Sequence, residues 1–361
     1  MATFITAAET ACALGDTLEA SLTKWREGRS GLTLSEGLLA GRIADRRLLK
    51  GRRYGAASNV AVKVAQRAVE KAGWTEEQTR SAWIFAASSR GQAGELLGTN
   101  AWRRPSKRFS ASNTLHSEIA AAVSIELGIR GPWQMISNGC SAGLDALGLA
   151  HMALTSGMAP RVLVVAVDLP LVPELLKDFQ DTRLLASKTL YDPLSPQTAG
   201  FHAGEAAVAL TLESEGQGRG PCMTRYAANS DAYDSLVIPE DGGSLAELLA
   251  GFEVPDLICP HATGTANHAV AEINALHRCY PDVPPLLLLK PYTGHTLGAS
   301  GLLDVALISE GLRQGNLPGN LPDLSHPTGI SLDMPANPRR VLKIASGMGG
   351  HNAAVMLEGR S

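Results

Sequence analysis

Residues 137–154 read SNGCSAGLDALGLAHMAL, and residues 294–312 read GHTLGASGLLDVALISEGL. Each stretch opens on small residues around one chemically able side chain, Cys140 in the first and His295 in the second, and each runs on as an apolar helical segment. A strand-like AAVAL (206–210) follows the first, and a strand-like AAVML (353–357) follows the second, in the same order and at similar spacing. Self-similarity of this kind predicts a duplicated α/β unit whose copies pack on each other. It would set Cys140 and His295 at comparable helix starts on opposite sides of one site.

Outward from these two stretches the chain alternates. ATFITA (2–7), AWIFAASS (82–89), WQMIS (133–137), RVLVVAVDLP (161–170) and AAVALTLE (206–213) read as strands, while ASNVAVKVAQRAVEKAG (57–73) and SEIAAAVSIELG (117–128) read as helices. Apolar strands interleaved with Ala-rich helices predict an α/β protein with well-buried sheets. With 361 residues and 45% hydrophobic content, the chain can bury a large core, as two domains or as one duplicated one.

Composition excludes several classes. No run reaches the roughly 18 apolar residues of a membrane span, and the opening MATFITAAETACALGD lacks a basic segment before an apolar one, so a cytoplasmic location is expected. Five scattered cysteines (Cys12, Cys140, Cys222, Cys259, Cys279) without a CxxC pair argue for reduced thiols and against a structural metal site. A net charge of −3 gives no global pull toward nucleic acid or membranes.

A free cysteine is more often a small buried hydrophobe than a nucleophile. At a helix start, however, the dipole and unpaired N–H groups favour a thiolate, and Gly139, Ser141, Ala142 and Gly143 leave room for a substrate to approach. Such a nucleophile needs an imidazole partner. Two of the nine histidines, His261 in LICPHATGTANHAVAEINAL and His295 in LLLLKPYTGHTLGASG, follow apolar strand-like runs, where catalytic groups tend to sit. His116, His151, His202, His268, His277, His326 and His351 are expected to be structural. KIASGMGGHNAAVML (343–357) lacks the GxGxxG spacing and following helix of a dinucleotide site, and it reads as a tight loop aiming backbone N–H groups at a ligand.

Taken in order, these segments resemble the β-ketoacyl-acyl-carrier-protein synthases (ketosynthases) of the thiolase superfamily. The carriers of the resemblance are FITAAETACALGDTLEASLTKWREGRSGL (4–32), the Cys140 turn, GFHAGEAAVAL (200–210), the His261-to-Thr265 loop, Lys290 with Gly294-His295, and GMGGHN (347–352). The resemblance implies a thiolase-like fold with duplicated α/β halves in a layered αβαβα arrangement, the halves spanning residues 1–217 and 218–361. A second C-terminal cysteine, found in degradative thiolases, is missing from GMGGHN, and His295 stands where initiating ketosynthases carry Asn. The implied enzyme is therefore the Cys-His-His elongating type, which joins an acyl group to malonyl-acyl-carrier protein by decarboxylative Claisen condensation in fatty acid, polyketide or aryl polyene-type biosynthesis.

The same resemblance implies the roles. Cys140 would carry the acyl group, and His261 and His295 would hold the malonyl carbonyl. Lys290 would join the network around His261, the N–H groups of Cys140 and Met348 would form an oxyanion hole, Thr263 and Thr265 would bind pantetheine, and Met348 and Phe201 would gate the pocket. No metal or resident cofactor is implied, because the substrates ride on the phosphopantetheine of acyl carrier protein. A homodimer, or a heterodimer with a second ketosynthase-like chain, is implied as well. Asn138, Gly139, Ala269 and Asp304 depart from the family's pattern around Lys290 and the cysteine. Two basic clusters, KGRRYG (Lys50, Arg52, Arg53) and WRRPSKRF (Arg103, Arg104, Lys107, Arg108), fall where the family docks its acidic carrier. A chain-length-factor-like partner subunit and a non-decarboxylating acyltransferase stay open as alternatives.

Overall fold

The computed structural model describes residues 2–35, 37–97, 109–186, 191–195, 197, 200–214, 220–327 and 329–359. The boundary expected at 217/218 and the basic residues Arg103, Arg104, Lys107 and Arg108 lie outside these described residues.

The strands are β1 (Thr3–Cys12), β2 (Leu32–Ser35), β3 (Leu38–Gly41), β4 (Trp83–Ala87), β5 (Trp133–Ile136), β6 (Arg161–Asp168), β7 (Ala206–Glu213), β8 (Cys222–Ser230), β9 (Leu257–Cys259), β10 (Arg340–Ser346) and β11 (His351–Glu358). The helices are α1 (Leu18–Arg26), α2 (Ala56–Ala72), α3 (Glu76–Ser81), α4 (Ala93–Leu97), α5 (Glu118–Leu127), α6 (Ala142–Thr155), α7 (Pro173–Asp181), α8 (Gly243–Leu249), α9 (Ala266–Cys279), α10 (Lys290–Thr293) and α11 (Ser300–Arg313). Every strand and helix expected from the sequence is present.

Among the described residues nine strands form one sheet, in the order β5-β4-β6-β7-β1-β8-β11-β10-β9. The two halves meet at β1. It pairs along its length with β7 but touches β8 only through Thr3–Met223 and Phe4–Cys222. Side chains of a strand alternate between faces, and here both faces are buried. On β6, Val162, Val164 and Ala166 face α6 and α11, while Leu163, Val165 and Val167 face α2 and α5. On β10 and β11, Val341, Ala345, Ala353 and Val355 join the α6–α11 core, while Leu342, Ile344, Ala354 and Met356 face α8 and α9. The result is five layers, αβαβα, with α6 and α11 in the middle.

The duplication anticipated from residues 137–154 and 294–312 is visible in this middle layer. Each of its helices is 14 residues long and is preceded by a three-residue 3₁₀ turn, Gly139–Ser141 before α6 and Leu297–Ala299 before α11. They cross through reciprocal glycines. A Cβ on Gly143 would lie 2.7 Å from the Gly298 carbonyl and 3.2 Å from Leu302, and one on Gly301 would lie 2.6 Å from Leu144. Close packing leaves no room for a methyl at either point, and this brings the two helix starts together.

Candidate active site

Cys140 sits in the 3₁₀ turn between β5 and α6, and Gly139 before it has φ +78°, a backbone that glycine adopts without steric cost. The thiol is 6% exposed, and its Sγ lies 3.2 Å from His295 Nε2. His295 follows α10 and Gly294, and its N–H donates to the His202 carbonyl at 2.7 Å. His261 follows β9, with its ring edge-on to His295 at 5.3 Å between centroids. Cys140, His261 and His295 each bring one ligand atom, all within 4.8 Å of one another. A thiol and two imidazoles at such range could hold a thiophilic ion. The same three atoms could equally serve an acyl thioester.

Electrostatics correct one expectation. A helix start was expected to favour the Cys140 thiolate, but burial, reinforced by Asp168, pushes this thiol up to about 12 against the opposing pull of Lys290 and Arg90. Desolvation outweighs the dipole in the resting site. Burial also holds His261 and His295 well below the ordinary histidine range, with the Lys290 ammonium adding to it. At neutral pH all three groups are uncharged. The Nδ1 atoms of both histidines are buried with no hydrogen-bond partner among the described residues.

Charged groups that the spacing did not reveal hold the loops. Glu272, on α9 and fully buried, accepts the N–H groups of His261 and Ala262 at 2.6 and 2.8 Å. Lys290 Nζ donates to the His261 carbonyl. Burial and then Lys343 bring Lys290 down to about 8. Asp168, at the end of β6, accepts the Ser88 hydroxyl and the N–H groups of Ser89 and Arg90, and burial raises it to about 6. Asn138, one of the departures from the family pattern, donates to Asp145 Oδ2 at 2.6 Å. Asp145 Oδ1 in turn accepts from Tyr226 at 2.6 Å and lies 3.0 Å from His351 Nε2. This cluster buttresses the turn that carries Cys140.

Two histidines expected to be structural lie beside the site. His351 belongs to the cluster just described, and His268 lines the pocket with its ring 4.8 Å from that of His261. Only the fold could show this, since both sit in segments read for other residues.

The pocket has a volume of about 180 Å³ and is bounded by Cys140, His261, His268 and His295 at its reactive end. Phe179, Leu184, Phe201, Leu236, Val237, Ile238 and Leu297 make its apolar wall. Thr263 and Thr265 also line it, their hydroxyls 3.1 Å apart. Phe201 stands edge-on between Phe179 and His295, at 5.3 and 5.2 Å. Met348, 38% exposed, lies in the tight turn between β10 and β11. Its backbone nitrogen lies close to the cysteine turn, 3.7 Å from where a Cβ on Gly139 would sit. Arg52 and Arg53 are exposed on the surface, with Arg53 within 3.3 Å of Glu126 and 5.2 Å from the centre of the Tyr54 ring.

Comparison with known proteins agrees with this architecture. Residues 41–217 match the β-ketoacyl synthase N-terminal domain, and residues 223–322 match the β-ketoacyl synthase C-terminal domain. Nodulation protein E of Rhizobium leguminosarum bv. trifolii is 28% identical over 326 residues, covering 82% of this chain and 81% of that protein. Matches to polyketide β-ketoacyl synthases of Streptomyces cover from 58% to 70% of their length. Among solved structures, a type II polyketide ketosynthase in complex with its acyl carrier protein has a TM-score of 0.85 at 22% identity, covering 99% of both chains. The ishigamide ketosynthase/chain length factor has a TM-score of 0.86 at 21% identity, covering 100% of this chain and 99% of that one. The likeness to these two is one of fold, the thiolase-like fold.

Proposed function

Because the chain belongs to the β-ketoacyl synthase family, we propose that it is an elongating condensing enzyme that forms a carbon–carbon bond between an acyl group on Cys140 and a malonyl group carried by acyl carrier protein. The observation that carries this reading is the contact of Cys140 Sγ with His295 Nε2 at 3.2 Å, with His261 beside them in the wall of an apolar pocket.

In the first half-reaction the Cys140 sulfur attacks the carbonyl of an acyl-carrier thioester. A new thioester forms on Sγ, the old carbon–sulfur bond breaks, and the thiol proton leaves with the carrier's pantetheine sulfur. His295 Nε2 is within reach of that proton in transit. A neutral pair suits a buried site, since no charge is stranded before the substrate arrives.

In the second half-reaction the malonyl thioester carbonyl takes hydrogen bonds from His261 and His295. The bond to the carboxylate breaks, carbon dioxide leaves, and its electron pair becomes an enolate whose oxygen those N–H groups stabilise. The enolate carbon attacks the acyl carbonyl on Cys140, where the N–H groups of Cys140 and Met348 hold the oxyanion. Collapse expels the Cys140 thiolate, which takes up a proton, and the β-ketoacyl product stays on the carrier. Thr263 and Thr265 bind the pantetheine arm as it enters, and Phe201 and Met348 gate the acyl end. No resident cofactor is required, because phosphopantetheine arrives with the carrier.

The carrier docks on basic residues that include Arg52 and Arg53, together with the sequence cluster Arg103, Arg104, Lys107 and Arg108. The chain works as a dimer, of identical chains or with a second ketosynthase-like chain, as the ishigamide ketosynthase/chain length factor pairs two such chains. No helix among the described residues is long and apolar enough to cross a membrane. All five cysteines are free, which suits a reducing cytoplasm.

Intact-mass analysis with acyl-carrier thioester, then with malonyl-carrier protein, tests the proposal. Acylation followed by loss of the adduct and appearance of a β-ketoacyl carrier is the expected result. No acylation points to a chain-length-factor-like subunit, and acylation without condensation points to an acyltransferase.

A further inference from the structure

Strand β10 sends one charged side chain into the middle layer. Val341 and Ala345 on that face belong to the apolar core, and Lys343 between them is 0% exposed. Its Nζ lies 2.6 Å from Asp304 Oδ2 on α11, donates to the Pro260 carbonyl at 3.0 Å, and is 3.6 Å from Cys259 Sγ. Pro260 immediately precedes His261, whose own carbonyl takes the Lys290 ammonium. Two lysines from different elements therefore hold two consecutive carbonyls, while Glu272 holds the next N–H groups from the other side. The segment needs such restraint. Ala262 has φ +42°, a conformation costly for a residue with a Cβ, and the ring of His261 has no partner at Nδ1 among the described residues to orient it.

We propose that Lys343, paired with Asp304, is a positioning residue for His261: it fixes the Pro260 carbonyl and through it the direction from which the imidazole enters the pocket. This role rests on the condensing function proposed above. A buried ion pair is seldom the most stable filling for a core, so its retention here is best explained by placement of a group whose geometry sets the rate. Two departures from the family pattern are accounted for by buried carboxylates around this segment. Asp304 is engaged by Lys343, and Glu272 supplies a buried carboxylate to the His261 loop where Ala269 supplies none. The charged or titratable groups that act on Lys343 are Asp304, Cys259 and Glu272, and those that act on Lys290 are Lys343, Asp304, Cys259 and Glu272.

The test uses the full-length enzyme with Lys343→Met, and with Lys343→Met/Asp304→Leu, which replaces the pair by apolar side chains and guards against a variant that does not fold. Melting temperature, Cys140 acylation by intact mass, and carbon dioxide release from malonyl-carrier protein are measured for each. In a folded variant, acylation stays within a fewfold of wild type, while kcat for carbon dioxide release falls by about 10²-fold with KM little changed. A purely structural role would lower acylation and condensation together; loss of kcat for carbon dioxide release with KM and acylation little changed marks a positioning role. A folded double variant that condenses at the wild-type rate overturns the proposal, and so does one that loses acylation and condensation equally. Wild-type enzyme that acylates yet releases no carbon dioxide overturns the condensing function itself, and this role with it.

Discussion

Cys140 Sγ and His295 Nε2 stand 3.2 Å apart although 155 positions separate them in the chain, whereas His261 approaches the sulfur only to within 4.8 Å and meets His295 ring to ring. The two histidines are therefore unequal toward the sulfur. His295→Ala should slow Cys140 acylation more than His261→Ala does, while each lowers condensation by about 10²–10³-fold. Single-turnover acylation followed by mass spectrometry, alongside steady-state condensation, checks both rates. Equal acylation in the two variants would contradict the geometry.

Phe201 and Met348 differ in burial, at 5% and 38% exposed. Phe201→Ala removes a ring wedged between Phe179 and His295 and should cost about 3–5 kcal/mol of stability, as for other buried aromatics. Met348→Ala should leave the melting temperature nearly unchanged and alter kcat/KM across a series of acyl chain lengths. A thermal melt with a chain-length panel separates a gate from a strut. A Met348→Ala enzyme with the wild-type preference would remove Met348 from gating.

His351 is raised above 6.5 by its hydrogen bond to Asp145, against the opposing effect of burial. A histidine whose folded pKa lies above its unfolded value adds stability that is complete below 6.5 and disappears as pH rises through the folded pKa. The stability lost in His351→Gln should therefore be largest below pH 6.5 and shrink at higher pH. Urea titrations at several pH values measure it. A pH-independent difference would show that the pair contributes no charge interaction.

Arg52 and Arg53 are exposed on a slightly acidic chain. Reversing both charges should raise the apparent KM for acyl-carrier protein, most at low salt, and leave turnover of a small pantetheine thioester nearly unchanged. Equal losses with both substrates would assign these residues a structural role and move carrier docking elsewhere.

Much of the architecture was legible in the sequence because it rests on periodicity. The unbroken apolar run in RVLVVAVD specified a strand buried on both faces, and the paired stretches around Cys140 and His295 marked the two helices of the middle layer, but not the glycines where they cross: Gly143, read as room for a substrate, packs against α11 instead. The cysteine and both histidines were legible too, since small residues around a reactive side chain leave a local signature. Charge compensation leaves none. Lys343 in VLKIAS could as well have faced solvent, and only the pairing of β10 with β9 and β11 turns it toward Asp304, 39 positions away. His268 and Glu272 joined the site because α9 folds back over the loop that precedes it. The resting thiol was misjudged for the same reason. The helix start that favours a thiolate is encoded locally, whereas the desolvation that outweighs it comes from every chain segment closing over the pocket.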